Sequence, residues 1–289
     1  MRLEYILHTF LHVLIESLKL VPFLFLMYLF LEWVEHKSGE HTEKIVAKTG
    51  RAGPLFGAVL GLLPQCGFST AAAGLYSGGL ITAGTLLAVF LSTSDEMIAV
   101  LLSNRTPVKS ILILLGLKLV IALAAGFVAD LFLKKRRDGA DIENHCHEEG
   151  CHCHESGILR SAIFHTVKIF VFIFVISLAV HITVEAVGQD NLGKLFSDIP
   201  FMSNVAASLI GLIPNCAASV VLVQLWLEGV ISAGAMLSGL LVGAGTGLLV
   251  LLRVNRHHRE NARFILILFL VGALSGFVLD LVGLEGWLL

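Results

Sequence analysis

Apolar runs of roughly 20 residues, the length needed to cross a hydrocarbon core of about 30 Å, recur along almost the whole chain, divided by short polar or glycine-rich stretches. The pattern predicts a first helix over 5–33 with Pro22 as a kink, an interrupted apolar region over 53–76, and helices over 80–102 and 108–133. After a polar stretch it predicts a helix over 164–187, a second interrupted region over 204–227, and helices over 229–252 and 264–284. In the first helix His8, His12, Glu16 and Lys19 follow one another at spacings of four, four and three. They form a polar stripe down one face, which must meet protein or water because lipid cannot solvate it. The stripe reads either as a buried Glu16–Lys19 pair that orients the helix, or as a path for protons or ions with His12 and Glu16 as coupling groups.

The two interrupted regions say the same phrase: Gly61-Leu62-Leu63-Pro64-Gln65-Cys66-Gly67-Phe68-Ser69 and Gly211-Leu212-Ile213-Pro214-Asn215-Cys216-Ala217-Ala218-Ser219. Proline removes a donor and clashes with the preceding turn, so backbone carbonyls are freed beside an amide and a thiol that can act as ligands. Matched interruptions in two halves of a membrane protein point to a transport site. The duplication runs further, pairing Ala83-Gly84 with Ala233-Gly234 and Gly126-Phe127-Val128-Ala129-Asp130-Leu131 with Gly276-Phe277-Val278-Leu279-Asp280-Leu281. The adjacent carboxyls Asp95 and Glu96, which follow Ser92-Thr93-Ser94, have no twin: they fall opposite Gly245-Thr246. Two carboxyls inside a span are costly and mark a functional site, with Lys118 on the next helix as their counter-ion; a structural salt bridge is the plainer alternative. A lone intramembrane thiol is usually a small hydrophobe, but the repeated Pro-x-Cys beside an amide gives Cys66 and Cys216 a functional reading. Gly57, Gly61, Gly74, Gly78, Gly79 and Gly84 read as positions of close helix packing.

Composition agrees with this picture. Of 289 residues 56% are hydrophobic and only 15% charged, and the mean hydropathy is +0.86, which defines an all-α integral membrane protein without a basic face for nucleic acid. Glu4 and His8 interrupt the N-terminal stretch, which therefore reads as a spanning helix and not as a cleavable signal. Charge then orients the halves, 1–133 and 161–289, about the polar linker 134–160. If each interrupted region is a helical hairpin, three full spans remain per half, about ten segments in all. One side then carries Lys37, Lys44, Lys48, Arg51, Lys134, Lys135, Arg136, Arg137, Arg160, Arg253, Arg256, Arg259 and Arg263, and the other Arg2, Arg105, Lys109 and Lys194. That is thirteen against four, whereas complete crossings would give eleven against six. The positive-inside rule favours the hairpins, hence two repeats of inverted topology with both termini outside and the linker in the cytoplasm. Within the linker His145, Cys146, His147, Cys151, His152, Cys153 and His154 form a tract that suits capture of soft or borderline metals. The five cysteines are an odd number, which argues against a complete disulfide framework.

Taken together, the phrase 61–69, the stretch 79–86, Ser92-Thr93-Ser94-Asp95-Glu96 and Pro214-Asn215-Cys216 resemble the family of ten-transmembrane heavy-metal exporters. These are arsenical-permease-like proteins labelled as arsenic efflux or manganese transporters. The resemblance covers the chain apart from the His/Cys tract, and implies a multi-pass protein of the bacterial inner (plasma) membrane. Cys66 and Cys216, with Gln65 and Asn215 beside them and Ser69 and Ser219 closing each phrase, offer sulfur and neutral amides, which suit trivalent arsenic or a soft metal. Asp95, Glu96, Ser92 and Ser94 offer hard oxygens, which suit manganese or a coupling proton. The expected function is a secondary-active exporter of a heavy metal or metalloid. No nucleotide-binding P-loop is present, so protons are the expected energy source. No resident cofactor and no enzymatic activity are expected. Three alternatives stay open: an exporter of an organic anion or other small molecule, a membrane enzyme using Cys66 with a His as nucleophile, and a metal sensor read through the linker.

Overall fold

The computed structural model describes residues 52–63, 66–93, 95–133, 158–187, 200–214, 216–255, 257–283 and 285–288, together with part of 10–29. For a few helical residues, among them Cys66, Asp95, Glu96 and Cys216, the description extends to the backbone alone. The elements are all helices among the described residues. The first half holds α1 (Gly53–Gly61), α2 (Cys66–Ser77), α3 (Ala83–Ser92), α4 (Asp95–Ser103) and α5 (Val108–Phe132). α6 (Ile158–Val187) follows the linker. The second half then gives α7 (Pro200–Gly211), α8 (Cys216–Leu227), α9 (Ala233–Val242), α10 (Thr246–Val254), α11 (His258–Val282) and the short α12 (Glu285–Leu288). From α2 against α8 to α5 against α11, the helix starts recur about 150 residues apart.

Four stretches among the described residues are long and apolar enough to cross a membrane: Ala83–Ser103, Val108–Phe132, Ala233–Val254 and His258–Val282. Their burial separates them into two classes. The apolar windows of 83–103 and 233–254 are 73% and 83% buried inside the protein, those of α5 and α11 only 28% and 22%. The core is therefore built from the first pair, and α5 and α11 flank it, presenting residues such as Leu131 and Leu281 outward. α1 and α2, at nine and twelve residues, rise roughly 14 and 18 Å, so neither crosses alone.

Both core spans are broken, which the apolar pattern did not predict. Where it gave single helices over 80–102 and 229–252, α3 ends at Ser92 with Thr93 extended (ψ 128°) and α4 starts at Asp95. α9 likewise ends at Val242, and Gly245 (φ 54°, ψ −140°) turns the chain through a conformation that side chains other than glycine's rarely permit before α10 begins. Two other boundaries move outward: α6 begins at Ile158 and α11 at His258, six residues before the predicted starts, so Arg259 and Arg263 lie on a helix. The tight turn into α11 is closed by buried amides, Asn261 donating to the Asn255 carbonyl at 2.7 Å and Asn255 to the Asn261 side chain at 2.8 Å.

Lipid supplies no hydrophobic drive between helices, so close backbone approach must hold them. α1 lays Gly53, Gly57 and Gly61 on α3: a Cβ at Gly57 would stand 2.8 Å from the Thr85 carbonyl, and one at Gly61 would stand 2.6 Å from that of Val89. α3 meets α5 in the same way at Gly84 and Gly126, and α9 meets α11 at Gly234 and Gly276. The packing expectation is thus met at Gly57, Gly61 and Gly84, whereas Gly79 serves as the left-handed end of α2. α2 and α8 each close on a left-handed glycine, Gly79 (φ 72°) and Gly229 (φ 73°), with the next amide returning to Leu75 or Leu225 at 2.9 Å.

The recurring aspartates explain themselves at the next helix starts. Thr82 and Ser232 cap α3 and α9, accepting from Thr85 N and Ala235 N. Asp130 on α5 accepts from Gly84 N at 2.9 Å and from the Thr82 hydroxyl at 2.8 Å. Asp280 on α11 accepts from Gly234 N at 2.9 Å and from the Ser232 hydroxyl at 2.8 Å. A carboxylate at the positive end of α3 and of α9 fixes where each of these half-helices starts. Each hairpin, finally, spreads across both halves: α1 packs on α3 but α2 on α10, and α7 packs on α9 but α8 on α4.

Candidate transport site

Four half-helices begin at or beside an interruption: α2 at Cys66, α4 at Asp95, α8 at Cys216 and α10 at Thr246. Three of these first residues are the thiols and the first carboxyl that the sequence singled out. Glu96 is the second residue of α4 and occupies, in the repeat, the position of Thr246. A half-helix start carries unpaired amides and partial positive charge, which negatively charged or lone-pair ligands offset.

Described side chains tie these starts together. The Thr70 hydroxyl, one turn into α2, lies 3.0 Å from the Thr246 hydroxyl at the start of α10, and both are buried. Beside them the fully buried Ser69 packs so closely on Gly247 that a Cβ there would stand 2.8 Å from the Ser69 side chain. On α8 the Ser219 hydroxyl would lie 3.5 Å from a Cβ at Gly243, in the break between α9 and α10. Lys118 reaches in from α5, wholly buried. Its ammonium donates to the Thr93 carbonyl, at the end of α3, and at 2.9 Å to the Leu240 carbonyl, in the last turn of α9. A continuous helix would engage both carbonyls; the two breaks free them, and one cation from the first half holds both. The corresponding residue of the second half is Leu268, so this link is made once.

Lys118 is therefore placed at the meeting of the two breaks, bound to backbone oxygens, and the sequence-based expectation of an Asp95 partner falls on a side chain that is not described. Ser92 is buried with its hydroxyl donating back to its own helix, to Ala88 O at 2.8 Å and Val89 O at 3.1 Å. His12, Glu16, Gln65, Ser94 and Asn215 lie outside the described residues, as do the linker residues His145, Cys146, His147, Cys151, His152, Cys153 and His154. Among the described residues no three His, Cys, Asp or Glu side chains gather in a metal-binding group. Sequence reasoning passed over Thr70, Thr246 and the Thr93 carbonyl. Position 246 had a signal, since it stands opposite Glu96; a carbonyl has none until a break exposes it.

These features define an all-helical, multi-pass membrane protein whose interrupted helices meet at its centre. Residues 4–190 match the model of a family described as putative, 10TM heavy-metal exporter, and the chain belongs to that family. The matched range takes in the first interruption and the Asp95-Glu96 pair and ends before Asn215-Cys216. Comparisons with curated proteins and with solved structures give no match. At family level the protein is thus a heavy-metal exporter in a lipid bilayer.

Proposed function

We propose that the protein is a secondary-active transporter that moves a heavy-metal or metalloid ion through the centre where the two broken spans cross. Cys66 and Cys216 serve as primary ligands, with Gln65, Asn215, Ser69 and Ser219 beside them. Asp95 and Glu96, with Ser92 and Ser94, act as ligand or proton carrier, and Lys118 is the charge partner that changes contacts between states. The observation that carries this reading is positional: Cys66, Cys216 and Asp95 each stand first on a half-helix, at an interruption inside an apolar span. Interrupted helices at membrane depth are tolerated where they are buried in protein or line a cavity, and in transporters their ends hold the transported ion. Soft sulfur with neutral amides fits a thiophilic cargo, and the carboxyl pair fits a harder divalent ion or the coupling proton. Protons as the driving ion, the His/Cys linker as a cytoplasmic capture segment and a place for the protein in the bacterial inner membrane belong to the same proposal.

An inverted arrangement of the repeats belongs to it too, and ring contacts support it. Tyr76, near the C-terminal end of α2 and just before the turn into α3, lies 6.4 Å from Phe264 in the second turn of α11. Phe264 also meets Phe90 of α3 edge-on at 5.5 Å. α11 begins where the broken span α9–α10 ends and Tyr76 leads into the start of α3, so the Tyr76 contact supports a reading in which the start of one broken span lies beside the finish of the other, while Phe90 lies near the break. Thirteen basic residues against four support a cytoplasmic linker in that arrangement. The converging helix starts and the buried Lys118 favour one second reading, an organic anion as cargo. Uptake into everted vesicles with arsenite, manganese, zinc, copper and an organic anion separates the two. Metal transport lost in C66S/C216S supports the first; anion transport unaffected by that pair, with no metal moved, supports the second.

A further inference from the structure

The two hairpins, α1–α2 and α7–α8, are built on the same plan but seated differently. In the second, Asn204 of α7 is wholly buried and bridges two neighbours: its amide donates to Asp280 of α11 at 2.8 Å, and its oxygen accepts from the Ser238 hydroxyl of α9 at 2.6 Å. Since Asp280 also holds the start of α9, the residues Ser238, Asn204, Asp280 and Ser232 form one buried polar chain across three helices. At the corresponding positions the first half has Ala88, Pro54, Asp130 and Thr82. Proline and alanine side chains carry no donor or acceptor, so α1 cannot be bolted to its neighbours in this way, and its glycine face rests on α3 by van der Waals contact.

A second difference lies between the hairpin arms and the core. Leu222 of α8, wholly buried, presses its δ-carbon into the notch left by Gly239 of α9. The first half has Ala72 and Val89 at these places, and there both line an apolar cavity of about 200 Å³ between α1, α2 and α3, bordered also by Gly57, Phe68 and Leu75. Phe56 and Leu60, which line it, are exposed, so the cavity opens on an apolar part of the protein's surface. Packed interiors shift between discrete arrangements and do not deform smoothly, so an element moves where room and weak attachment coincide. The geometry points to an unequal pair: the second hairpin is the fixed one, positioned by Asn204, and the first, whose arm α2 is tied to α10 by the Thr70–Thr246 pair and borders α3 across the cavity, is the one that shifts against α3, using the cavity beside Ala72, in the transport cycle proposed above on which this inference rests.

Hydrogen–deuterium exchange on the full chain in lipid nanodiscs tests it without any cargo. Amides of 66–77 are expected to exchange at least about tenfold faster than those of 216–227, and N204A is expected to raise exchange in 200–211 by a similar factor. The exchange A72L/V89G transplants the second half's interlock at constant side-chain carbon count; it is expected to slow exchange in 66–77 and hold or raise the melting temperature. In vesicles it is expected to lower the maximal transport rate several-fold at unchanged KM, a split that mere stabilisation of the fold does not give. Ala72→Val serves the same purpose should the double variant not fold. Equal exchange in the two wild-type hairpins, or full transport rate in a variant whose 66–77 amides have slowed, overturns the inference. Wild-type vesicles that move no cargo refute the transport reading instead, and leave the exchange contrast as the deciding result for the unequal pair.

Discussion

Replacing Lys118 by methionine removes the one ammonium that joins the broken end of α3 to that of α9 while keeping most of the side chain's length. The residue is wholly buried, and its nitrogen serves the Thr93 and Leu240 carbonyls. Each carbonyl deprived of that donor costs about 1–3 kcal/mol, and relief of the ammonium's desolvation returns part of the total. Leu268 at the matching place in α11 is itself wholly buried, so the scaffold accepts an apolar side chain there and packing adds little to the cost. A net loss of about 2 kcal/mol follows, or about 4–8 °C in melting temperature at about 2–4 °C per kcal/mol. The effect on transport is expected to be larger than on stability, since the two breaks lose the cation that sets their distance: at least about tenfold in rate. Melting by intrinsic fluorescence in nanodiscs, alongside vesicle uptake, reads both. A K118M protein that melts within about 1 °C of wild type and transports normally refutes the reasoning, because the ammonium would then be holding nothing.

Other expectations follow from single contacts. T70V and T246V, taken with the double variant, are expected to show a coupling of about 0.5–1.5 kcal/mol in a denaturant or thermal cycle, reflecting the 3.0 Å hydroxyl pair between α2 and α10. D130A is expected to lower stability by about 1–2 kcal/mol through loss of the clamp on Thr82 and Gly84, and D280A by more, because Asn204 loses its acceptor as well; thermal melting of both ranks them. Gly276→Ala is expected to abolish folded, monodisperse protein, since its Cβ would meet the Ser238 hydroxyl and the Gly234 carbonyl. Gly116→Ala, with nothing within 4 Å, is expected to melt the same or up to about 1 kcal/mol more stably.

The sequence made the hairpins legible because proline announces itself: Pro64 and Pro214 mark where α1 and α7 must stop. The breaks in the two core spans were not legible as such, since 80–102 and 229–252 carry no proline: the polar run 92–96 reads as a site within a span, and glycines such as Gly243 and Gly245 read equally well as packing positions. Asp130 and Asp280 were visible as a repeated motif, but their role depends on helix starts some 46 residues away in the chain, which only the fold brings beside them. Lys118 was rightly taken as special for being charged in a span. Two of its partners, the Thr93 and Leu240 carbonyls, belong to a group every residue has, and no pattern of side chains could have named those two. The identity of the chemistry-bearing positions was legible in the same sense: Cys66, Cys216 and Asp95 stood out by type, and the structure adds that each begins a half-helix.

The central claim is that the metal passes between the thiols and carboxyls at those half-helix starts. Uptake by everted vesicles from a medium supplying in turn arsenite, manganese, zinc and copper tests it most directly, comparing wild type with C66S/C216S and D95N. The account predicts uptake of at least one of these ions by wild type, reduced at least about tenfold in one or both variants whose folding is intact. Wild-type metal uptake that survives both variants undiminished would contradict it.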